Sequence, residues 1–193
     1  MFGFKRIWKY KLDLEIYTDK IAESGRRIIR KAHEEARDRD HNQIAPEHIL
    51  LAIAEAEEPF FIVVMQSLNL DPQAIFDAFD THLDSDKFPG RGIKMSESFR
   101  TLEANAWKNA RLHRRRWIEA GDFLIALFQD EQSFSFKFFQ QLGIDREIII
   151  QRIQDHEHLI GTDNSESQTQ QIRKRPRNEK TGRIIIGNED FNP

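Results

Sequence analysis

The sequence contains no cysteine, so it can form no disulfide, zinc–thiolate site or thiol nucleophile. Its formal net charge is only -3 over 193 residues, which gives no overall attraction to nucleic acid or to an anionic membrane. No apolar run reaches the ~18 residues of a membrane-spanning helix. The first stretch, MFGFKRIWKYKLDLEIY, also lacks the uninterrupted apolar core of a signal peptide. These absences predict a cytoplasmic chain without a membrane span.

Motifs of catalysis and cofactor binding are missing as well. The sequence has no G-x-S-x-G, no H-E-x-x-H, no dinucleotide-binding glycine fingerprint and no G-x-x-x-x-G-K-[ST] phosphate loop. His41 and His48 are separated by a predicted loop, and His156 and His158 are too close in sequence to share a helix face. We therefore predict no enzyme, no cofactor and no metal site, with the histidines solvated or capping helices.

What the sequence does contain is an internal repeat. A shift of 74 positions, which carries Ile44 onto Ile118, aligns the two halves without a gap. Other positions that agree in this register are Glu23 with Glu97, Ser24 with Ser98, Ala32 with Ala106, Leu50 with Leu124, Leu68 with Leu142, Asp71 with Asp145 and Ile75 with Ile149. This many agreements in one register predict two copies of one structural unit.

Each half has the pattern of four helices. IAESGRRIIRKAHEEARDRD places its apolar residues on one face at helical spacing, and PFFIVVMQSL is apolar throughout, as a buried helix would be. Pro46 suits the first turn of a helix, and Asp71, Ser96 and Asp145 are candidate N-caps. No stretch alternates for long with the period of a strand. We predict an all-α fold, two four-helix repeats packed about a pseudo-twofold axis.

Composition predicts where the repeats begin and end. We expect an N-terminal extension over 1–17, repeats over 18–85 and 95–160, and a proline- and glycine-containing linker over 86–94. The tail 161–193 is polar and low in aromatic residues, which predicts disorder. Its last apolar piece, TGRIIIGNEDF, fits either a strand or a short docking peptide, and the sequence does not decide between them.

The first repeat resembles a known family through the stretch AHEEARDRDHNQIAPEHILLAI, residues 32–53. This stretch and the tandem arrangement, over about residues 18 to 158, are similar to the amino-terminal domain of Clp ATPases, the Clp R or double Clp-N domain. The second repeat resembles the family mainly through the shared register. The resemblance implies a protein-binding module that recruits substrates and adaptors to an unfolding motor, here as a stand-alone relative without ATPase modules.

Some members of this family bind phosphorylated arginine through a helix-opening threonine and the glutamate of a Thr-Glu-His motif. Glu47 matches that glutamate, but Pro46 replaces the threonine before it, and Ala22 stands where the helix-opening threonine would be. In the second repeat Ser96 can stand for the threonine, while Gly121 replaces the glutamate. The resemblance therefore implies no tight phosphoarginine site. Glu47 is first a helix-start residue, and its alternative role is an exposed acid that binds a guanidinium or amide donor.

Two further stretches are candidate partner sites. RLHRRRW, with Arg114, Arg115 and Arg116, is the densest basic patch of the predicted repeats, although cations at a helix end also offset the helix dipole. Phe134 and Phe136, in SFSFKFFQQL, belong to a short helix whose four phenylalanines span most of its circumference. Some of them, with Phe60 and Phe61 of the first repeat, are candidates for an exposed apolar patch.

The leading prediction of function is a non-enzymatic module that recruits polypeptides or adaptors to a Clp chaperone or protease. Its expected partners are a Clp ATPase, adaptors or client polypeptides. The alternative is a regulator that binds nucleic acid or an acidic partner through the arginine patch and the basic tail segment IRKRPRNEK. Neither the oligomeric state nor the identity of the partner follows from the sequence.

Overall fold

The computed structural model describes residues 18–85 and 92–161. The predicted extension 1–17, linker residues 86–91 and tail residues 162–193 lie outside these ranges. The expected disorder of the tail and the two alternatives for TGRIIIGNEDF therefore fall outside the described residues too.

The first repeat consists of four helices. They are α1 (Glu23–Asp38), α2 (Pro46–Ala56), α3 (Glu58–Ser67) and α4 (Pro72–Ser85), preceded by a 3-10 turn, Thr18–Lys20. α1 buries one stripe, which includes Ile28, Ile29 and Ala32, while α2 is buried over most of its circumference. Its position at the centre of the repeat explains why PEHILLAIAEA has apolar residues on every side.

The second repeat has the same order. Its helices are α5 (Glu97–Leu112), α6 (Ala120–Ala126), α7 (Phe134–Gln141) and α8 (Arg146–His156), followed by a 3-10 turn, Glu157–Leu159. The predicted all-α fold with two four-helix repeats is confirmed. α6 is shorter than α2, because the chain forms turns between Ala126 and the start of α7 at Phe134.

Side-chain caps start several of these helices as the sequence indicates. The Ser96 hydroxyl accepts a hydrogen bond from Phe99 N at 3.0 Å, and Asp71 Oδ1 accepts one from Gln73 N at 3.0 Å. The prediction for Asp145 is wrong: it stands at the N-cap of α8, but its side chain makes no capping hydrogen bond within the described part of the chain.

The two repeats are joined by short parallel pairings that the sequence did not predict. Strand β1 (Gln43–Ile44) pairs with β2 (Lys94–Met95), so that Ile44 lies opposite Met95. A second parallel bridge joins Ile21 to Ile118. Adding 74 to Ile44 and Ile21 gives Ile118 and Met95, so each bridge is the image of the other. This exchange is what a pseudo-twofold axis between the repeats requires.

The repeats share one hydrophobic core. α2 packs against α6 along the centre, and α3 packs against α8. Phe79 of α4 contacts the Phe134, Phe138 and Phe139 rings of α7, with centroids 5.0, 5.4 and 6.4 Å away. The largest fully buried side chains come from both halves and include Phe60, Phe61, Phe76, Phe79, Phe99, Phe123, Phe128 and Phe139. The halves therefore depend on each other for burial.

Candidate functional site

Glu47 and the arginine patch lie at or next to two equivalent loops, which we call the first corner (residues 39–45) and the second corner (residues 113–119). Both corners have the same backbone. Asp40 and Arg114 have φ of 57° and 58°, and the next residues, His41 and Arg115, each donate a backbone hydrogen bond of 2.8 Å to a carbonyl of the preceding helix. One left-handed residue thus ends α1 and α5 in the same way.

In the first corner, His48 holds the start of α2. Its Nδ1 accepts a hydrogen bond from Ala45 N at 3.0 Å, and its Nε2 lies 3.0 Å from His41 Nδ1. Because Nδ1 is an acceptor, the proton of neutral His48 sits on Nε2 and is donated to His41. Burial, followed by the neighbouring His41, lowers the pKa of His48 to about 3. His48 is therefore a neutral capping residue. Of the two roles predicted for the histidines, solvated or capping, His48 has the capping role.

In the second corner, the buried carboxylate of Asp122 holds the start of α6. Asp122 Oδ2 accepts from Glu119 N at 2.9 Å, while its Oδ1 accepts from Asn109 Nδ2 at 2.6 Å and from Arg115 Nη2 at 2.5 Å. Arg115 Nη1 also donates to Glu157 Oε2 at 2.6 Å. Burial raises the pKa of Asp122, against the hydrogen bond from Glu119 and the charge of Arg115. The corner is fixed by this network.

The residues that resemble a phosphoarginine site do not combine into one. Glu47 is only 9% exposed, which does not fit its alternative role as an exposed binding acid. Gly121 stands where the family motif has its glutamate, and a Cβ atom added there would lie 2.8 Å from Glu157 Oε1. The side chain of Glu157 therefore fills the space beside Gly121. Ser96, half-buried, uses its hydroxyl to cap α5 and lies 2.8 Å from Ser98 Oγ. Ser96 is therefore committed to the start of its own helix, and Glu157 occupies the place beside Gly121.

The three arginines of the basic patch differ in their availability. Arg115 is held by Asp122 and Glu157, which corrects its assignment as a partner-binding residue. Arg114 and Arg116 are exposed, and the Arg116 guanidinium lies 5.3 Å from the centroid of the Trp117 ring. The charge that can meet a partner therefore comes from Arg114 and Arg116.

The phenylalanines do not form the expected exposed patch. Phe60 and Phe61 are fully buried in α3, so the prediction that they are surface residues is wrong. Phe134 is half-buried: its ring stacks on His82 at 3.6 Å and meets Phe79 at the junction of the repeats. Phe136, also half-buried, lies 6.0 Å from the Arg146 guanidinium. Among the four phenylalanines proposed for the patch, Phe134 and Phe136 of α7 are the two that are partly exposed.

Two buried ion groups were not predicted. Arg39 is buried and bonds to Glu35 and Asp80, and its Nε lies 3.4 Å from Asp84. Glu57 bonds to Arg27 and accepts from Gly161 N at 2.7 Å, which joins the α2–α3 junction to the end of the second repeat. The second repeat has a contact at the positions equivalent to Arg39 and Asp80. There His113 and Gln154 take their places, and the Nε2 atoms of these two residues lie 3.1 Å apart.

The described ranges contain no cluster of three or more histidine, aspartate or glutamate side chains arranged to hold a metal ion. None of the helices within residues 18–85 and 92–161 has the length and apolar character needed to cross a membrane.

Solved structures of three Clp-type N-terminal domains are similar to this fold. The Hsp104 N-terminal domain from Candida albicans has 18% sequence identity, a TM-score of 0.61, and coverage of 69% of this chain and 89% of that one. The N-terminal domain of the ClpV1 ATPase from E. coli has 22% identity, a TM-score of 0.57, and coverage of 71% and 85%. A complex of the ClpV N-domain with a VipB peptide has 18% identity, a TM-score of 0.56, and coverage of 69% and 89%.

No curated protein matches the sequence. The sequence profile of the Clp repeat (R) N-terminal domain, in contrast, matches residues 20–142, which span both repeats and more than half of the chain. The chain belongs to the Clp repeat (R) N-terminal domain family.

Proposed function

We propose that this chain is a non-enzymatic protein-binding module that recruits substrate polypeptides or adaptors to a Clp chaperone or protease. The observation that carries the proposal is the family match over residues 20–142, which includes both corners and the junction between the repeats. The ClpV N-domain, solved in complex with a VipB peptide, is a protein of this fold that binds a peptide. The proposal extends that kind of binding to this chain.

The use of buried charge supports a binding role over a catalytic one. The buried ionisable side chains of the two corners are engaged in holding the chain: His48 and Asp122 accept from backbone N–H groups at helix starts. Arg39 joins α1 to α4 through Asp80, and Arg115 joins the second corner to Glu157. A perturbed pKa in such a network serves structure, whereas catalysis needs the perturbed group to face a substrate.

A binding assay with purified components tests the proposal. The full chain is immobilised and exposed separately to a Clp ATPase, to Clp adaptors and to a permanently unfolded polypeptide, with heat-denatured chain as the control surface. We expect at least one of these to be retained by the folded chain only. Retention at moderate salt is expected, since a peptide interface does not depend on releasing counterions from phosphates.

The alternative of nucleic-acid binding gives the opposite result. If DNA is retained with an affinity that falls steeply as salt rises, and no polypeptide is retained, the recruiting function is wrong. The same assay therefore separates the two functions that the sequence left open.

A further inference from the structure

The last turns of α5 and the loop after it carry three exposed arginines, the exposed Trp117 and the half-buried Trp107, and the first repeat has a matching residue only for Arg111. We call this group the cation–tryptophan surface and define it as Trp107, Arg111, Arg114, Arg116 and Trp117. The Arg111 guanidinium lies 5.8 Å from the Trp107 ring centroid, and that of Arg116 lies 5.3 Å from the Trp117 ring centroid. Each tryptophan therefore supports a cation on its face.

The arginines of this surface have no acidic partners in the described part of the chain. Within residues 18–85 and 92–161, Arg111, Arg114 and Arg116 form no ion pair. Arg115, which forms two, fixes the loop from its inner side. The helix dipole favours cations in the last turn of α5, which accounts for Arg111 but extends little beyond that turn. The dipole therefore does not explain the arginines of the loop.

In the first repeat, the positions equivalent to the cation–tryptophan surface carry fewer unpaired positive charges. Arg37, the equivalent of Arg111, pairs with Asp38 at 3.1 Å, and Asp40 stands where the second repeat has Arg114. Asn42 and Gln43 take the places of Arg116 and Trp117. Since the two corners share one backbone, the cations and tryptophans are not needed to form the corner.

We propose that the cation–tryptophan surface binds an acidic polypeptide segment that carries an apolar or aromatic residue, an inference that rests on the proposed recruiting function. Carboxylates of such a segment would meet Arg114 and Arg116 in the bidentate geometry that guanidinium groups favour. Its apolar residue would meet the Trp117 ring and Leu112, which is 70% exposed at the end of α5. The binding energy comes from pairing charges that the folded chain leaves exposed.

The surroundings of the surface favour a short acidic peptide over nucleic acid. The cations occupy only the last turns of α5 and one loop. That loop is bounded by Gln154 of α8, whose Nε2 lies 3.1 Å from His113 Nε2, and by Glu157 of the following 3-10 turn, which pairs with Arg115. Nucleic-acid binding draws its affinity from a longer row of cations than these three arginines, whereas a short acidic segment needs only a few charge pairs.

Fluorescence anisotropy tests this with a labelled short peptide of glutamate and aspartate around one phenylalanine. Probes of the same length, a lysine-rich peptide and a single-stranded DNA, serve as comparisons. The full chain is expected to bind the acidic peptide, more weakly as salt screens the charges, and to bind the other two poorly. Replacing Trp117 with Ser is expected to weaken the acidic peptide further while leaving the melting temperature unchanged.

The triple variant R111Q/R114Q/R116Q is expected to bind the acidic peptide about tenfold more weakly, since each exposed charge pair contributes only a modest share. The matched control is R30Q/R37Q/R100Q, which removes three exposed cations elsewhere on α1 and α5 and should change binding less than about twofold. Because the three arginines make no ion pair within residues 18–85 and 92–161, the triple variant should fold, with at most the small loss of stability expected from Arg111 at the end of α5.

Three outcomes would overturn the inference: no binding of the acidic peptide, equal binding by the triple variant, or preferential binding of the DNA. If a Clp ATPase, adaptor or unfolded polypeptide is still retained in those cases, the proposed function stands and only this surface is wrong. If the acidic peptide binds here but none of those partners is retained, the surface stands and the recruiting function is wrong.

Discussion

His48 Nε2 lies 3.0 Å from His41 Nδ1 in the first corner, where the second repeat places Asp122 against Arg115. The same backbone is therefore held by a neutral hydrogen-bonded pair in one repeat and by an ion pair in the other. The two corners should respond to pH in different ways.

The first prediction concerns acid. The folded-state pKa of His48 is about 3, below the ordinary value of 6.5, so the unfolded chain binds the proton more readily. This contribution to stability is present above pH 6.5 and is lost as the pH falls below it. Between pH 7 and about pH 5 we expect a loss of about 2 kcal/mol from this group, measured by denaturant unfolding at each pH.

The control for this prediction is His48→Gln, because glutamine can accept from Ala45 N and does not titrate. The variant should lose less stability over the same interval, whatever its stability at pH 7. Identical pH dependence in the two proteins would show that His48 is not the group responsible.

A second prediction concerns Glu103, which is buried in α5 at the position where the first repeat has Ile29. Its Oε1 has no hydrogen-bond partner within residues 18–85 and 92–161, and burial raises its pKa, opposed by the charge of Arg100. Replacing Glu103 with Ile should stabilise the fold by about 1–2 kcal/mol near neutral pH, as judged by chemical denaturation.

The pH dependence has a definite sign for Glu103 too. A raised folded-state pKa means that the folded chain holds its proton longer, so stability falls as the pH rises from 4.5 through the raised value. Glu103→Ile should remove this slope. A variant less stable than the wild type at neutral pH would mean that the carboxylate has a stabilising role.

The third prediction tests whether Glu47 stabilises the start of α2 or binds a ligand. Its carboxylate lies in the first turn of α2 and is almost buried, next to Pro46 in place of a hydroxyl residue. Glu47→Gln should cost about 0.3–1 kcal/mol of stability through the helix dipole and leave phosphoarginine affinity unchanged. Calorimetric melting and a phosphoarginine titration measure the two effects. Lost ligand at an unchanged melting temperature would assign Glu47 to binding instead.

The fourth prediction compares two phenylalanines of α7. Phe134→Ala should cost roughly 2 kcal/mol, about half the usual cost for a fully buried ring, because this ring packs on Phe79 and His82 at the repeat junction. Phe136→Ala removes a ring that faces Arg146 and should cost less than about 1 kcal/mol. Thermal unfolding of both variants gives the comparison, and equal losses would contradict the different packing of the two half-buried rings.

The fold was predictable because its main determinant is repetition. The 74-residue register relates not only apolar positions but also the left-handed residues Asp40 and Arg114, and the bridges of Ile21 and Ile44. Helical periodicity in the sequence predicted the helices, and capping residues such as Ser96 predicted where they begin. Periodicity and capping signals lie within short stretches of sequence and require no knowledge of which helix packs on which, whereas the bridges between the repeats were not predicted.

Exposure could not be predicted in the same way, because it depends on contacts between distant segments. Phe60 and Phe61 were candidates for a surface patch, but α3 packs against α2, α4 and α8, and both rings are fully buried. Arg115 resembles its exposed neighbours in sequence, and its partner Glu157 lies in the turn after α8. The distinction between an available arginine and an occupied one depends on tertiary structure.

The exchanged bridges have a mechanical consequence. Ile118 N donates to Lys20 O at 2.7 Å and Ile118 O accepts from Ala22 N at 2.9 Å, so the segment that leads into α1 is clamped to the second corner. A pull on the chain at Ile21, directed along the parallel bridge, would load these hydrogen bonds together in shear. Tension entering the first repeat would therefore pass directly to the second repeat before α1 could unravel.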